Sequence, residues 1–438
     1  MAEKQKNAGW KGLCLFLALA LLMSFHFFSL YSKERDSEYY VNSMISAGRI
    51  GKEIPGSFGL TILRSGETVF DGEDGGSLEG SSLYIAYHPE EFGPENVDVE
   101  LIRLQQLGLQ GWLAYGLGSA ARLLHLSGRM VYYGFRWLNA LLLSATLLGI
   151  ALELKRAYDE LFGLAFLGVS LMSTWMAAFG ANLYWMEFTW YLPMLFGLMA
   201  MNHPGKRGWF YLLILVSVAL KCGCGYEYVT NVMLEPVFFP SAAWLCALKE
   251  KNGRAGRLFR ILAGTAAASL LGFVCTILLH AYLRVGDIYG GLIDILYCDV
   301  LRRTVGDPVV SAGGETVTVS VSVLSVLLRY WVFSVTGLLA SGCFLADLVL
   351  LIRGRRGRTL FRDAVLLVLG ALATSSWFVL AKSHSYVHIH LNGVLFYLPF
   401  MPIAVYLLLK QLIGLALRKK ELRPEGILGR LRQISLGE

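Results

Sequence analysis

The stretch Leu13–Tyr31, LCLFLALALLMSFHFFSLY, is a mostly apolar run, and Asp36-Ser37-Glu38-Tyr39-Tyr40 follows it closely. A run of about 17–25 apolar residues is long enough to cross a bilayer as a helix. The next such run begins only near residue 131. The sequence therefore predicts a membrane anchor, with two carboxylates at the membrane surface where a long polar loop begins.

The composition is that of a polytopic membrane protein. Hydrophobic residues make up 55% of the chain and charged residues 16%, against about 25% charged residues in soluble domains. The mean hydropathy is +0.53. We expect an all-α polytopic fold with about ten transmembrane helices. The predicted spans are 12–31, 131–152, 162–180, 186–202, 208–223, 228–248, 257–283, 331–352, 361–380 and 393–417.

The charge distribution predicts the orientation of these spans. Cytoplasmic loops are enriched in Lys and Arg. With the N-terminus inside, the short cytoplasmic segments hold more than half of the 39 Lys and Arg, and the runs at 249–254 and 353–358 are the clearest. The external loop 32–130 carries 14 acidic and 8 basic residues. The net charge of +7 is thus an orientation signal, and it does not indicate nucleic-acid binding.

These spans divide the chain into six regions. They are the N-terminus with span one (1–31), the first external loop (32–130), spans two to seven (131–283), a second external loop (284–330), spans eight to ten (331–417) and a basic cytoplasmic tail (418–438). Residues 109–125 and 287–303 have the pattern of amphipathic helices lying in the outer interface. The rough alternation of 59–72, GLTILRSGETVFDG, predicts a short β-hairpin turning at Ser65-Gly66.

Charged side chains inside spans are costly and indicate function by default. Here they gather toward the predicted outer ends of the helices, which indicates a polar cavity opening outward. The members of this set that we interpret as site residues are Glu38, Arg136, Glu187, Lys221, Glu227 and Lys382. In the inner leaflet Asp347 and Lys410 stand out, and Lys410 is expected to reach the headgroups with its long side chain.

A histidine cluster lies between the last two predicted spans. In Lys382-Ser-His384-Ser-Tyr386-Val-His388-Ile-His390-Leu-Asn392 the three histidines alternate, and on an extended segment all three would face one way. Together with a carboxylate such as Asp36, alternating histidines can bind a divalent metal ion. They can equally bind a phosphate or a sugar, or have a structural role. The candidate metal ligands are Asp36, His388 and His390.

These features resemble the GT-C superfamily of membrane glycosyltransferases. Asp36-Ser37-Glu38-Tyr39-Tyr40 is similar to the acidic motif that opens the first external loop of that superfamily. The segment from Gly111 to Ala140 is similar to its interfacial helix leading into span two, and Asn182–Glu187 resembles its polar turn between spans three and four. The resemblance covers about residues 12–250. Ser37 separates the two acids, where many members space them differently, which leaves open which acid is catalytic.

The resemblance implies transfer of a sugar from a polyprenyl-phosphate donor to an extracytoplasmic glycan, lipid or protein acceptor. The implied catalytic residues are Asp36, Glu38 and Glu187, with Asp36 as general base or metal ligand. The implied substrate-binding residues are Tyr39, Arg136, Lys221, Glu227, Arg302, Arg303, Lys382, His384, His388, His390 and Asn392. A divalent metal ion is the only cofactor considered. A bacterial plasma membrane is the expected location, with the active site outside.

Three other interpretations stay open. A polysaccharide polymerase or ligase also uses lipid-linked glycans, but such proteins usually place their large external loop late in the chain. A transporter or flippase would show inverted repeats or interrupted helices near the bilayer midplane, and the sequence shows neither. A non-catalytic relative would keep the same fold.

Overall fold

The computed structural model describes residues 15–21, 37–65, 85, 91–306, 309–312, 315–354, 358–389 and 391–419. Within these ranges only the backbone is described at residues 64–65, 100–103, 309–317, 354, 358 and 417–419. Asp36, His390, most of the first predicted span and the basic tail from residue 420 lie outside the described residues.

Helices make up most of the described chain. They are α1 (Glu38–Ile50), α2 (Leu109–Leu123), α3 (Gly128–Ala157), α4 (Glu160–Met172), α5 (Thr174–Gly180), α6 (Phe188–Asn202), α7 (Arg207–Cys224), α8 (Val229–Lys249), α9 (Ala255–Val285), α10 (Ile288–Asp294), α11 (Arg302–Thr304), α12 (Val323–Trp331), α13 (Val335–Gly354), α14 (Arg358–Leu380), α15 (Lys382–Val387) and α16 (Phe400–Lys419). A π-helix, Ile295–Leu301, joins α10 to α11. Residues 15–21 are also helical.

Several of these helices have the length and composition of membrane spans. Six of them, α3, α7, α8, α9, α13 and α14, are long and apolar enough to cross a bilayer. The bent pair α4 and α5 would make a seventh, and α16 is a shorter apolar helix. The chain therefore has the helices of an all-α polytopic membrane protein, as its composition predicts. The count of ten spans and their orientation stay predictions.

The third predicted span differs from its predicted form. Span 162–180 was expected as one helix, but α4 and α5 meet at Ser173 with a bend of 72°. Ser173 has an extended backbone, and its hydroxyl accepts a hydrogen bond from the Met176 amide at the start of α5. A serine that caps a new helix offers the backbone an alternative to continuing the old one. The prediction of an unbroken helix was wrong for this reason.

The described part of the first predicted loop forms a small packed unit. Strand β1 (Leu60–Ser65) pairs in antiparallel fashion with β2 (Val97–Arg103), and α1 packs against both α2 and β1. Residues 66–70, the second half of the predicted hairpin, lie outside the described residues. In the structure, β1 therefore pairs with a strand that lies more than thirty residues later in the chain. A second two-stranded sheet joins β3 (Val309–Ala312) to β4 (Glu315–Thr318).

Both segments predicted to be amphipathic helices are helical. The first is α2, and the second is the continuous run from α10 through the π-helix to α11. The contact between α1 and α2 is close because two glycines lie in it. A Cβ on Gly118 would stand 2.3 Å from the Ile45 carbonyl oxygen, and one on Gly48 would stand 2.2 Å from that of Tyr115.

We expect Gly118→Ala to lower the free energy of unfolding by about 1–3 kcal/mol, because overpacking a backbone contact forces the two helices apart. Gly116→Ala on the same helix is the matched control, since nothing lies within 4 Å of its Cβ position. That control should be neutral or stabilising by up to about 1 kcal/mol, since alanine is the better helix former. Thermal unfolding of the purified proteins measures both. Equal melting temperatures for the two variants would contradict the close contact.

The remaining helices form one bundle. Helix α6 packs against α3, α7 and α8, helix α9 packs against α7 and α8, and α14 packs against α8. On the other side α16 packs against α4, α13 and α14. The turn between α5 and α6, the end of α7, the start of α8 and the end of α14 consequently lie at one end of the bundle. We call this the Glu38 end.

The opposite end contains a buried network of charged residues. The ammonium group of Lys410 lies 3.4 Å from Asp363, and Asp347 accepts a hydrogen bond from Gln411. The Lys410 and Asp363 side chains are 1% and 0% exposed. The expectation that Lys410 extends to the headgroups was wrong. A buried carboxylate is available to it, and pairing inside the bundle replaces solvation at the surface.

Candidate active site

Glu38 is buried at the start of α1 and uses both carboxylate oxygens. Oε2 accepts a hydrogen bond of 3.0 Å from the Tyr132 hydroxyl, and Oε1 accepts one of 3.0 Å from the Leu183 amide. Arg136, one turn after Tyr132 on α3, donates to the same hydroxyl at 3.1 Å. Glu38 therefore joins α1, α3 and the turn before α6, and we interpret it as a positioning residue.

We expect Glu38→Ala to destabilise the protein by about 1–3 kcal/mol, because the Leu183 amide and the Tyr132 hydroxyl would lose a buried acceptor. Glu53→Ala removes an exposed carboxylate shortly after α1 and should change the free energy of unfolding by less than about 0.5 kcal/mol. Chemical or thermal unfolding of both variants tests this. A Glu38→Ala protein as stable as the Glu53→Ala protein would refute the positioning role.

The polar turn that contains Glu187 is fixed from several sides. Asn139 on α3 donates to the Gly180 carbonyl at 2.7 Å, and the Asn182 side chain accepts from the Tyr184 amide at 2.8 Å. Gln110 on α2 donates to the Tyr184 carbonyl at 3.0 Å. The Glu187 side chain that follows is fully buried, and neither carboxylate oxygen has a hydrogen-bond partner among the described residues. An unpartnered buried carboxylate is expensive, which is why such groups mark functional positions.

Aromatic rings continue from this turn across the Glu38 end. Trp185 stacks on Tyr228 at 6.2 Å, and Trp190 contacts the same tyrosine ring at 5.1 Å. Trp377 on α14 contacts the Tyr228 ring edge-on at 5.6 Å. In the described part of the chain, the indole nitrogens of Trp190 and Trp377 are buried without a hydrogen-bond acceptor. These rings form a wall with two unused donors.

Lys221 and Glu227 lie beside this wall. The Lys221 ammonium group is 5.8 Å from the Trp190 ring centroid and donates to the Gly225 carbonyl at 2.7 Å. Glu227 is close enough to Lys221 for electrostatic interaction. The structure thus places both predicted residues at the Glu38 end, with Lys221 buried and engaged by the backbone.

A cavity of about 280 Å³ opens next to Trp377. We call it the outer cavity. Its walls are mostly apolar, and its polar lining residues are Gln105, Tyr226, Thr230, His280, Asp299, Arg303 and Thr304. Part of the wall is the π-helix, a rare conformation that is often found at functional sites.

Arg303 in this cavity and the nearby arginines Arg302 and Arg284 have different surroundings. Arg303 lines it, and its buried Nε has no acceptor among the described residues. Arg302 is exposed, and its Nε donates to the Cys298 carbonyl at 3.0 Å. Arg284 is bonded to Asp299 at 2.5 Å. Of the two predicted arginines, Arg303 is therefore the one that faces a ligand-sized space.

The histidine segment is helical from Lys382 to Val387, and His388 caps that helix, so His384 and His388 do not lie on one extended face. His384 and His388 lie one turn apart, with ring centroids at 4.4 Å, and His384 contacts Trp377 at 5.9 Å. Lys382 donates to the Val321 carbonyl at 2.9 Å, and Asn392 donates to the Tyr330 hydroxyl at 2.8 Å. His384 thus adjoins the outer cavity through Trp377, whereas Lys382 bonds a backbone carbonyl and Asn392 bonds a tyrosine hydroxyl.

The described residues do not show a metal site. They contain no group of three His, Cys, Asp or Glu side chains arranged to hold an ion. Asp36 and His390, two of the three candidate ligands, lie outside the described residues. We therefore derive no chemical step through a metal ion.

Sequence reasoning did not single out His280, Thr230 and Trp377. His280 donates from Nε2 to the Leu104 carbonyl at 3.0 Å, and its Nδ1 lies 3.2 Å from the Tyr226 hydroxyl. An ionisable residue within the apolar α9 was the signal that could have identified it. Thr230 and Trp377 carry no such signal, because their importance comes from packing. Tyr39, whose ring contacts Tyr40 at 4.3 Å, lies in the first turn of α1.

Comparison with known protein families, characterised proteins and solved structures finds no match for this chain.

Proposed function

We propose that this protein is a membrane glycosyltransferase that moves a sugar from a polyprenyl-phosphate donor to an acceptor hydroxyl. The observation that carries the proposal is the outer cavity beside the aromatic wall, with Arg303 in its lining and the Arg303 Nε buried without an acceptor among the described residues. A lipid-phosphate sugar has an apolar tail, an anionic phosphate and a polar ring. The apolar walls of the cavity suit the tail, and the guanidinium group suits the phosphate. The aromatic rings, with their free hydrogen-bond donors, suit the sugar ring.

The donor binds in this proposal with its isoprenoid chain along the apolar lining of the outer cavity. The Arg303 guanidinium group receives the phosphate and stabilises the charge that it gains as it leaves. The indole ring of Trp377, which lines this cavity, faces the sugar and can donate a hydrogen bond to it.

Asp36 is the general base of the proposed reaction. Glu38 is held by two hydrogen bonds, which leaves Asp36 as the other acid of the motif. The acceptor oxygen forms a bond to the anomeric carbon while its proton passes to the Asp36 carboxylate. The bond between the anomeric carbon and the phosphate oxygen breaks, and the polyprenyl phosphate leaves with the electron pair. The predicted orientation puts this reaction outside the cytoplasm, in a plasma membrane.

A second candidate function is transport of a lipid-linked glycan. The break between α4 and α5 at Ser173 favours it, because interrupted helices are common in transporters. The buried carboxylate of Glu187, which has no hydrogen-bond partner among the described residues, is compatible with it as well. A polymerase or ligase of lipid-linked glycans stays an alternative that shares the donor class.

Purified protein in liposomes distinguishes these functions. Polyprenyl-phosphate hexoses and pentoses labelled in the sugar are supplied with glycan, lipid and peptide acceptors, with and without EDTA. Sugar transfer with release of free polyprenyl phosphate supports the transferase. Movement of a fluorescent lipid-linked glycan between leaflets, with no transfer to any acceptor, would refute it and support transport.

A further inference from the structure

A second cavity lies at the end of the bundle opposite Glu38. We call it the inner cavity. It has a volume of about 300 Å³ and lies between the C-terminal ends of α3, α6 and α8 and the first turns of α14. Its polar lining residues are Tyr158, Asn202, Cys246 and Arg362, and Ala157, Met201, Ala242 and Ala243 complete the wall. A volume of this size is within the range of small-molecule sites. The proposed transferase does not use it.

Among the described residues that line the inner cavity, Arg362 carries the charge. Its Nε lies 3.4 Å from Asp363, and its guanidinium carbon lies 5.9 Å from the centroid of the Tyr158 ring. The same Asp363 oxygen lies 3.4 Å from the Lys410 ammonium group. One carboxylate oxygen is therefore shared by two cations, and the two terminal nitrogens of Arg362 have no hydrogen-bond acceptor among the described residues.

The other polar groups of the inner cavity add donors and acceptors at its edge. Within the described chain, the Tyr158 hydroxyl makes no hydrogen bond. The Asn202 amide nitrogen donates to the Glu153 carbonyl at 3.0 Å and to the Glu153 carboxylate at 2.8 Å, which leaves its oxygen as an acceptor. Arg156 and His203 also contact the Glu153 carboxylate, so that this acid is fully engaged. The groups left to bind a ligand are thus the terminal guanidinium nitrogens of Arg362, the Tyr158 hydroxyl and the Asn202 amide oxygen.

A guanidinium fork with an adjacent hydroxyl donor suits an anion with several oxygens. The ordinary role of a basic residue near a helix end is to interact with the helix dipole or to reach the headgroups. Arg362 does not fit that role, because it lies near the start of its helix and lines a cavity. The charge pattern predicts that this end is cytoplasmic, and basic pockets between helices on that side bind lipid headgroups.

We propose that the inner cavity binds a phosphate group through Arg362 and Tyr158, with the Asn202 oxygen accepting a bond from a hydroxyl next to the phosphate. Phosphoglycerol has this combination of groups. The source of the phosphate is either the headgroup of an anionic membrane lipid or a free phosphate compound.

Cys246 provides the test, because its thiol lines the inner cavity and a bound ligand would shield it. The full chain in detergent is treated with a maleimide, and peptide mass spectrometry follows Cys246 alkylation over time. The probes are phosphatidylglycerol, diacylglycerol with the same acyl chains, glycerol 3-phosphate and inorganic phosphate. Exposed Cys298, beyond the far end of α9, is the internal control. With a ligand at ten times its dissociation constant, the rate of Cys246 alkylation is expected to fall about tenfold, because only protein with an empty cavity reacts.

The probes separate the two phosphate sources. Protection by phosphatidylglycerol alone supports a lipid headgroup, and protection by glycerol 3-phosphate or inorganic phosphate supports a soluble compound. Equal protection by diacylglycerol would show that acyl chains cover the thiol without phosphate recognition, which overturns the proposal. The absence of protection by every probe overturns it as well.

Variants then connect the protection to Arg362. Arg362→Gln should abolish protection of Cys246, Arg362→Lys should retain part of it through its charge, and exposed Arg254→Gln should leave it unchanged. Full protection in Arg362→Gln would contradict the proposal. If Arg362→Gln fails to fold, Arg362→Lys is compared with Arg254→Gln instead. Equal affinities of those two proteins for the phosphate probes would also contradict the proposal. An impermeant maleimide applied to either side of sealed vesicles tests the predicted cytoplasmic location of Cys246.

Discussion

Asp36→Asn is expected to lower the rate of sugar transfer by about 10²–10⁴-fold, the usual contribution of a positioned general base. The amide keeps the size of the carboxylate but does not accept a proton from the acceptor hydroxyl. Single-turnover transfer from a purified polyprenyl-phosphate sugar measures the effect, since it reports the chemical step separately from product release. The melting temperature should stay close to that of the unchanged protein.

Glu38→Gln is the matched variant for this prediction. Glutamine can still accept the Leu183 amide bond, and its nitrogen can donate to the Tyr132 hydroxyl, so that the local structure survives. A transfer rate well above that of Asp36→Asn is expected. If Glu38→Gln loses the activity and Asp36→Asn keeps it, the two acids have exchanged roles. If both variants keep full activity, the mechanism is wrong.

Arg303→Gln is expected to lower kcat/KM for the donor by about 10–100-fold. A charge-assisted hydrogen bond contributes roughly 1.5–3 kcal/mol, and the leaving phosphate would lose such a bond in the outer cavity. Initial rates over a range of donor concentrations measure this ratio. A larger loss in kcat than in binding would indicate that Arg303 acts on the leaving group.

Arg302→Gln is the control for Arg303→Gln. It removes the same charge from the neighbouring position, but Arg302 is exposed and its Nε contacts the Cys298 carbonyl. Exposed charges contribute little, so a change of less than about threefold is expected. Equal losses for the two variants would show that the general positive charge of this segment matters and not the cavity, and the proposed donor site would fail.

The helical character of the chain could be predicted from its sequence, because the length of an apolar run and its periodicity are local properties. Helices α3, α7, α8, α9, α13 and α14 coincide with predicted spans for this reason. Even so, the break at Ser173 was missed. A single serine in an apolar run carries too weak a signal to decide between continuing a helix and capping a new one.

The candidate site was predictable in part. The sequence indicated that Arg136, Glu187 and Lys221 would share one end of the molecule, and contacts through Tyr132, Leu183 and Trp190 bring them to the Glu38 end. It did not indicate that Lys382 and Asn392 would bond the backbone and a tyrosine hydroxyl. Hydrogen-bond partners are chosen by packing, and packing joins residues that are far apart in the chain.

The sequence by itself determined that this is a helical membrane protein with its acidic motif after a first apolar run, because burial in lipid requires long apolar segments wherever they occur. Only the tertiary structure showed that Glu38 is engaged, since its carboxylate accepts a hydrogen bond from a backbone amide 145 positions away. It also decided that Lys410 is buried against Asp363 and that Arg303 faces a cavity while Arg302 does not. Each of these outcomes depends on the geometry between helices, which no local pattern encodes.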